Sequence, residues 1–267
     1  MLTRIALRIA VQEALRGQTL AGPNVLDSQI AALDLDADGS LRTDQDKPFL
    51  SVNTDGGNIS AGSGLMILFN DSSVELVIEA GISAAMVEQD EGTGVTHIVG
   101  VGLPATDAAM EMTLDLMMRG VSDALVDPAN SWAEIVRSLL VSVSGVERSR
   151  VGQKSNGTRL AAHELRIRGE IVQDPVKGAD IAGTTLAAFL AALAADGSPS
   201  LIKVKEAFES VLAGEAVDWQ LVQRELGLSD GQSIALGGRP LAPDENGEAA
   251  PLDEGSIKIS GRQGVDP

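Results

Sequence analysis

The stretch "SVELVIEAGISAAMV" (residues 73–87) decides how the chain folds. Its first eight residues alternate. Val74, Leu76, Ile78 and Ala80 face one way; Ser73, Glu75, Val77 and Glu79 face the other. A period of two marks a strand with one face in a core and one wet face. Such a strand needs neighbours, and the flanking sequence offers them. "PFLSVNTD" (48–55) reads as a strand entered after a proline, a permitted place for one. "THIVGVGLP" (96–104) is expected to pair with the 73–87 strand. "LVSVSGVERSR" (140–150) and "TRLAAHELRIRGEIV" (158–172) alternate too. They predict an antiparallel hairpin about the turn "GQKSNG" (152–157), with Glu164, Arg166, Arg168 and Glu170 on the solvent side. "NVLDS" (24–28) reads as a short strand.

Helical spacing appears between these runs. Over 2–16, Leu2, Ile5, Ile9 and Leu15 form an apolar face, and Arg4, Arg8 and Gln12 lie on the other face. Gly17 ends the run. The segment 105–127 is the strongest helix, capped by Thr106 or Asp107. Met110, Leu114, Met117, Val121 and Leu125 form its apolar stripe. Glu111, Asp115 and Arg119 form its polar stripe, with a favourable acid-to-base pair. The segment 127–140 begins with a turn and continues as a short helix capped by Asn130 or Ser131.

Pro175 is read as a boundary. The expected organisation is an α+β domain over 1–175, with a mixed, mostly antiparallel sheet flanked by helices, and a C-terminal extension over 176–267. In the extension, 180–196, 199–214 and 217–228 read as helices. "SIALGG" (233–238) and "SIKISG" (256–261) are expected to pair as small strands around a loop.

Composition limits the function. Hydrophobic residues make up 44% of the 267, enough for a core, but aromatics are only 2% and tyrosine is absent. Base recognition by stacked rings is therefore a poor fit. A formal charge of −18 repels nucleic acid and anionic membrane, and suits a surface that DNA must slide past. There is no cysteine, which excludes disulfides and thiolate chemistry. The first residues carry Arg4, Arg8, Glu13 and Arg16 and do not read as a signal peptide. No run reaches transmembrane length.

"LDLDADGSLRTDQD" (33–46) opens like a calcium loop. Asp34, Asp36, Asp38 and Gly39 match positions 1, 3, 5 and 6 of an EF-hand. Position 12 is Gln45, where a bidentate Glu belongs, and Pro48 with a strand follows where a helix is needed. The loop therefore reads as a solvated acidic segment, with a calcium-binding module as a remote alternative. "VGQKSNG" (151–157) lacks the glycine a phosphate loop needs before its lysine and reads as a hairpin turn. "GVG" (100–102) lacks the third glycine and helix of a dinucleotide site. Of the two histidines, His97 and His163, the second shares its strand face with Leu165 and Ile167 and reads as a core residue. No catalytic constellation, cofactor site or metal site stands out, so the expectation is a non-enzyme. Methionines 110, 112, 117 and 118 surround one helix. They read as core, or as a face packed on another subunit, since thioethers adapt to imperfect surfaces. Asp34, Asp36, Asp38, Met110, Met117 and Met118 are the candidate interface or lumen residues.

The order of elements carries one further signal. "LTRIALRIAVQEALRGQTLAG" is followed by "NVLDSQIAALD", "KPFLSVNTD", "VELVIEAGISA", "ATDAAMEMTLDLMMRGVSDAL" and "DPANSWAEIVRSLL", then by the closing strand pair. Over about residues 1–175 this resembles the tail terminator, or tail completion, proteins of long-tailed, lambda-like bacteriophages. The resemblance implies a homo-hexameric ring that caps the tail tube protein, stops its polymerisation and joins a head-tail connector or stopper protein. Genomic DNA would pass through the lumen without specific binding, and no membrane or cofactor would be involved. The place of action would be the head-proximal end of the virion tail, with assembly in the host cytoplasm. Other head-tail connector or tail tube subunits are the alternative. The chain departs from small members of that family by about ninety further residues and a long 55–72 loop.

Overall fold

The computed structural model describes residues 1–28, 34–35, 41–42, 45–55, 72–83, 86–90, 92, 94–102, 105–155 and 158–238. These form an α+β fold. Its strands are β1 (Val25–Asp27), β2 (Asp34–Leu35), β3 (Leu41–Arg42), β4 (Phe49–Asp55), β5 (Ser73–Ser83), β6 (Val87–Gln89), β7 (Thr96–Ile98), β8 (Leu140–Ser155) and β9 (Thr158–Ile171). Its helices are α1 (Leu2–Leu15), α2 (Asp107–Val126), α3 (Ser131–Leu139), α4 (Thr185–Asp196), α5 (Pro199–Leu212), α6 (Asp218–Glu225) and α7 (Asp230–Ala235). The centre is a five-stranded sheet in the order β1-β4-β5-β9-β8. β1 runs parallel to β4; the other pairings of this sheet are antiparallel.

β5 lies at the centre, and its alternation does what the sequence implies on one side. Val74, Leu76, Ile78, Ala80 and Ile82 are buried in the core shared with the helices. Burial of each large aliphatic side chain contributes roughly 1.5–3 kcal/mol. The other side is not simply wet, because Val77 is buried as well. Phe49 lies against Gly81 so closely that a methyl group there would overlap its ring. Gly169 has a similar role on β9, where the Ser142 carbonyl occupies the space of a Cβ. That approach accompanies two irregularities in β8, between Leu140 and Ser142 and between Val143 and Gly145. Each inserts an unpaired residue into the edge strand.

Segment 96–104 does not pair with β5. Both edges of β5 are taken, by β4 and β9. β7 pairs instead with β6 in a separate ribbon. The expected turn 152–157 is mostly strand, since the β8–β9 ladder runs to Ser155 opposite Thr158. Residues 233–238 are not a strand either. Ser229 and Gln232 form a capping box that starts α7. The partner expected at 256–261 lies outside the described residues, as do 56–71 of the expected 55–72 loop.

The stripe of α1 read as outward-facing clamps that helix to the sheet. Arg4 donates to the Thr54 and Asp55 carbonyls at 3.2 and 2.5 Å. Arg8 pairs with Asp27, and Gln12 donates to the Val25 carbonyl at 3.0 Å. α1 has no local side-chain cap. Asp174 supplies one from beyond β9, accepting from the Leu2 and Thr3 amides at 2.8 Å each and from the Met1 ammonium. A carboxylate suits the positive end of a helix. Burial works against the Asp174 charge, yet the hydrogen bonds to it prevail and hold its carboxyl below the usual range.

The core continues past Pro175. Leu186, Phe189, Leu190, Leu193, Leu201, Phe208 and Leu212 join the same buried cluster as α1, α2 and the sheet. Phe189 bridges the two parts. Its ring lies 6.3 Å from Trp132 of α3 and 5.5 Å from Phe208 of α5. Three of the few aromatic rings in the chain are thus spent on one junction.

Phe189→Ala should cost about 3–5 kcal/mol, and its thermal melt should remain a single transition of the whole chain. A variant that melts α4 and α5 while the sheet stays folded would show two separate cores. The Asp174 cap contributes stability above the usual carboxylate range, and that contribution is lost as pH falls through its lowered value. Asp174→Asn should therefore destabilise by about 1 kcal/mol at pH 7, with a difference from wild type that closes on acidification. Urea titrations from pH 7 to pH 3 measure it.

Candidate functional site

A groove of about 400 Å³ opens between α2 and the β8–β9 hairpin. Helical geometry supplies one wall: Glu111, Asp115, Met118, Arg119 and Ser122 fall on one stripe of α2. Strand geometry supplies the other. Arg148 and Arg150 are two apart on β8, so they share a face. They stand opposite Leu165 and His163 of β9 in the register. Ser149 and Glu164 complete the lining.

Glu111 is the hinge of the groove. One carboxylate oxygen sits 3.1 Å from His163 Nε2, and the other accepts from Arg150 at 2.8 Å. His163 Nδ1 lies 3.6 Å from Asp115. The imidazole is therefore held between two acids of α2 rather than packed among Leu165 and Ile167. The strand period placed His163 on the helix-side face correctly. It could not show that β9 sets this position against the polar stripe of α2, because that depends on how the helix lies across the sheet. Asp115 is thereby drawn away from its expected partner. Arg119 pairs instead with Asp123 at 2.8 Å.

Ser122 donates to the Met118 carbonyl, and Ser149 donates to Glu164. Both hydroxyls are thus engaged away from the imidazole, whose own partners are the Glu111 and Asp115 carboxylates. Among the described residues no group of three or more acids and histidines is arranged to hold a metal ion.

The opposite face of the sheet carries a charge ladder that ties three strands together. Arg166 bonds Glu75 at 2.5 Å and Glu164 at 2.6 Å. Arg168 bonds Glu75 at 2.8 Å and Glu147 at 2.9 Å. Hydrogen bonds from Arg168 and then Arg166 hold the Glu75 carboxyl below its ordinary value. Glu79 goes the other way: its burial, and then the neighbouring Glu164 charge, raise it. The residues read as a solvated face are thus partly occupied with one another.

The candidate interface residues separate. Met110 and Met117 are buried in the core, so they are not a surface of this chain. They sit on the α2 side that faces the sheet. Met118 is half-buried and lines the groove. The exposed apolar residues of α2 are Met112 and Leu116, at 45% and 48%. Asp34 belongs to β2, which pairs with β3, Asp34 opposite Arg42. Asp36 and Asp38 lie outside the described residues. Strand flanks on both sides of 36–40 are not the helices of an EF-hand. His97 lies on β7 opposite Glu88, in the small ribbon and not at the groove.

No family model matches the chain, and no curated protein matches it.

For Glu79 the raised value means that its stability contribution is complete below the usual glutamate range and lost as pH rises through the folded value. At neutral pH the charge is a burden. Glu79→Gln should raise the melting temperature at pH 7 by a few degrees, and the gain should fade toward pH 4. An unchanged melting temperature across that range would remove the buried-charge account.

Proposed function

We propose that the chain is a structural assembly subunit of the tail-terminator kind, which closes into a ring, caps a tail tube and joins it to a head connector. The observation that carries this reading is the edge strand β8. It is sixteen residues long, with one partner among the described strands. Val141, Val143 and Val146 are exposed on it at 65%, 53% and 58%. A long edge with exposed apolar side chains invites another chain. Met112 and Leu116 on the neighbouring helix add to the apolar surface.

Two further points support it. The α+β architecture, a mixed sheet flanked by helices, is the one the resemblance implies for such subunits. The charge of −18 suits a lumen that DNA traverses without adhering. No helix among the described residues is long and apolar enough to cross a membrane. In this reading the six-fold ring meets the tube protein on one side and the connector on the other. A related connector or tube subunit is the second reading, since an exposed edge strand serves stacking as well as ring closure.

Negative-stain electron microscopy of the purified chain separates these. Closed rings of uniform size that bind tail tubes are expected. Long stacks would favour a tube subunit. A monomer at high concentration with no affinity for tail tubes would end the proposal.

A further inference from the structure

We propose that helix α6 of one copy of this chain docks on the uncovered, helix-side face of β8 in the next copy, so that copies join head to tail. The inference rests on the ring reading above and names the contact within it.

The receiving surface follows from the register. Val143 stands opposite Gly169 of β9, and Val146 opposite Ile167. The β5 partners of Gly169 and Ile167 are Val74 and Leu76. Residues directly opposed in a ladder point to one face, so both β8 valines lie on the face that carries the helices. There Val74 and Leu76 are buried, whereas Val143 and Val146 are exposed. The helix layer thus stops short of the end of β8 near Leu140. Ser122 of α2 still reaches Arg148, but Val126, one turn further along, is exposed. The run 140–146 holds no charged residue, so covering it strips water from no charge. An apolar sheet face of this kind is completed by one more helix beside α2.

The mode of approach is set as well. β8 is irregular twice before Gly145, and bulges blunt an edge against strand pairing. The other outer strand is shut: Val25 donates its N–H to the Pro23 carbonyl at 2.9 Å, and its own carbonyl accepts from Gln12 at 3.0 Å. Two β8 edges paired with each other would give a symmetric pair, whereas a ring joins two different surfaces. The contact therefore falls on the sheet face, and a different element of the neighbour makes it.

α6 has the matching character. It buries no residue of its own, and an eight-residue helix is marginal without packing. Val222 and Leu226 are exposed and four apart, hence on one stripe. Arg224 points to the other side and ties the helix to its own chain, donating to the Lys177 carbonyl at 2.6 Å. The apolar stripe is thus presented outward on an anchored helix. Each copy carries one such stripe and one uncovered β8 face, so a closed ring leaves neither exposed.

The chain has no cysteine, so introduced thiols report the contact directly. Val222→Cys and Val146→Cys are placed in separate full-length chains, each at an exposed position, and the two chains are co-expressed with distinguishable tags. A short bis-maleimide should link one variant to the other and should leave either variant alone unlinked. Links between copies of Val146→Cys alone, or of Val222→Cys alone, would show a symmetric contact and overturn the proposal. In a second measurement, Val222→Asp combined with Leu226→Asp should raise the dissociation constant about tenfold or more in sedimentation velocity, with helical circular dichroism unchanged. Val222→Ile combined with Leu226→Met should assemble like the wild type. If the wild type forms rings but the mixed link is absent, or the Asp pair assembles equally well, this contact is wrong and the ring reading stands. A wild type that stays monomeric ends both.

Discussion

The architecture depends on burying the apolar face of β5. Helix α2 lies on that strand, α1 lies beside it over β4, and β4 and β9 take its edges. That leaves Glu75 and Glu79 on a strand that also buries Val77. A carboxylate taken from water needs a partner. Arg166 and Arg168 on β9 provide one for Glu75, and the ladder register brings them opposite Val77 and Glu75. Glu79 sits beside Glu164 and gets less, so its charge is the weak point of the central strand. The long β5–β9 pairing thus serves packing and electrostatics together.

The same constraint explains where charge is left over. Of the fourteen arginines, several are used inside the chain: Arg4 and Arg8 clamp α1, Arg137 bonds the Leu125 and Asp127 carbonyls, and Arg166 and Arg168 serve the ladder. At the α2–β8 groove Arg119 pairs with Asp123 and Arg150 with Glu111, while Arg148 reaches Ser122.

The C-terminal helices belong to this scheme through packing. The Phe189 contacts with Trp132 and Phe208 attach α4 and α5 to α3. Asp174, just past β9, caps α1 at the other end of the chain. The link between sheet and extension is therefore part of the core domain and not a hinge. α6 and α7 contribute less. α6 buries no residue, and Val222, Leu226, Ile234 and Leu236 are exposed.

The sequence by itself determined most of the elements, but not α7, part of which reads as a strand, nor the end of β8, which reads as a turn. The period of two in 73–83 and the helical spacing of 107–126 are local signals, each carried by side chains a few residues apart; the sequence narrows the caps to Thr106 or Asp107 and to Asn130 or Ser131, and the fold uses Thr106 and Asn130. It also determined which face of β5 meets the core. What only the tertiary structure decided are relations between distant residues. His163 meets Glu111 and Asp115, Arg119 turns to Asp123, segment 96–98 pairs with 87–89, and Met110 and Met117 lie inward while Met112 and Leu116 lie outward. The physical reason is that a period assigns a residue to a face, whereas a partner depends on strand order and on how a helix crosses the sheet. Those are set by packing the whole core at once.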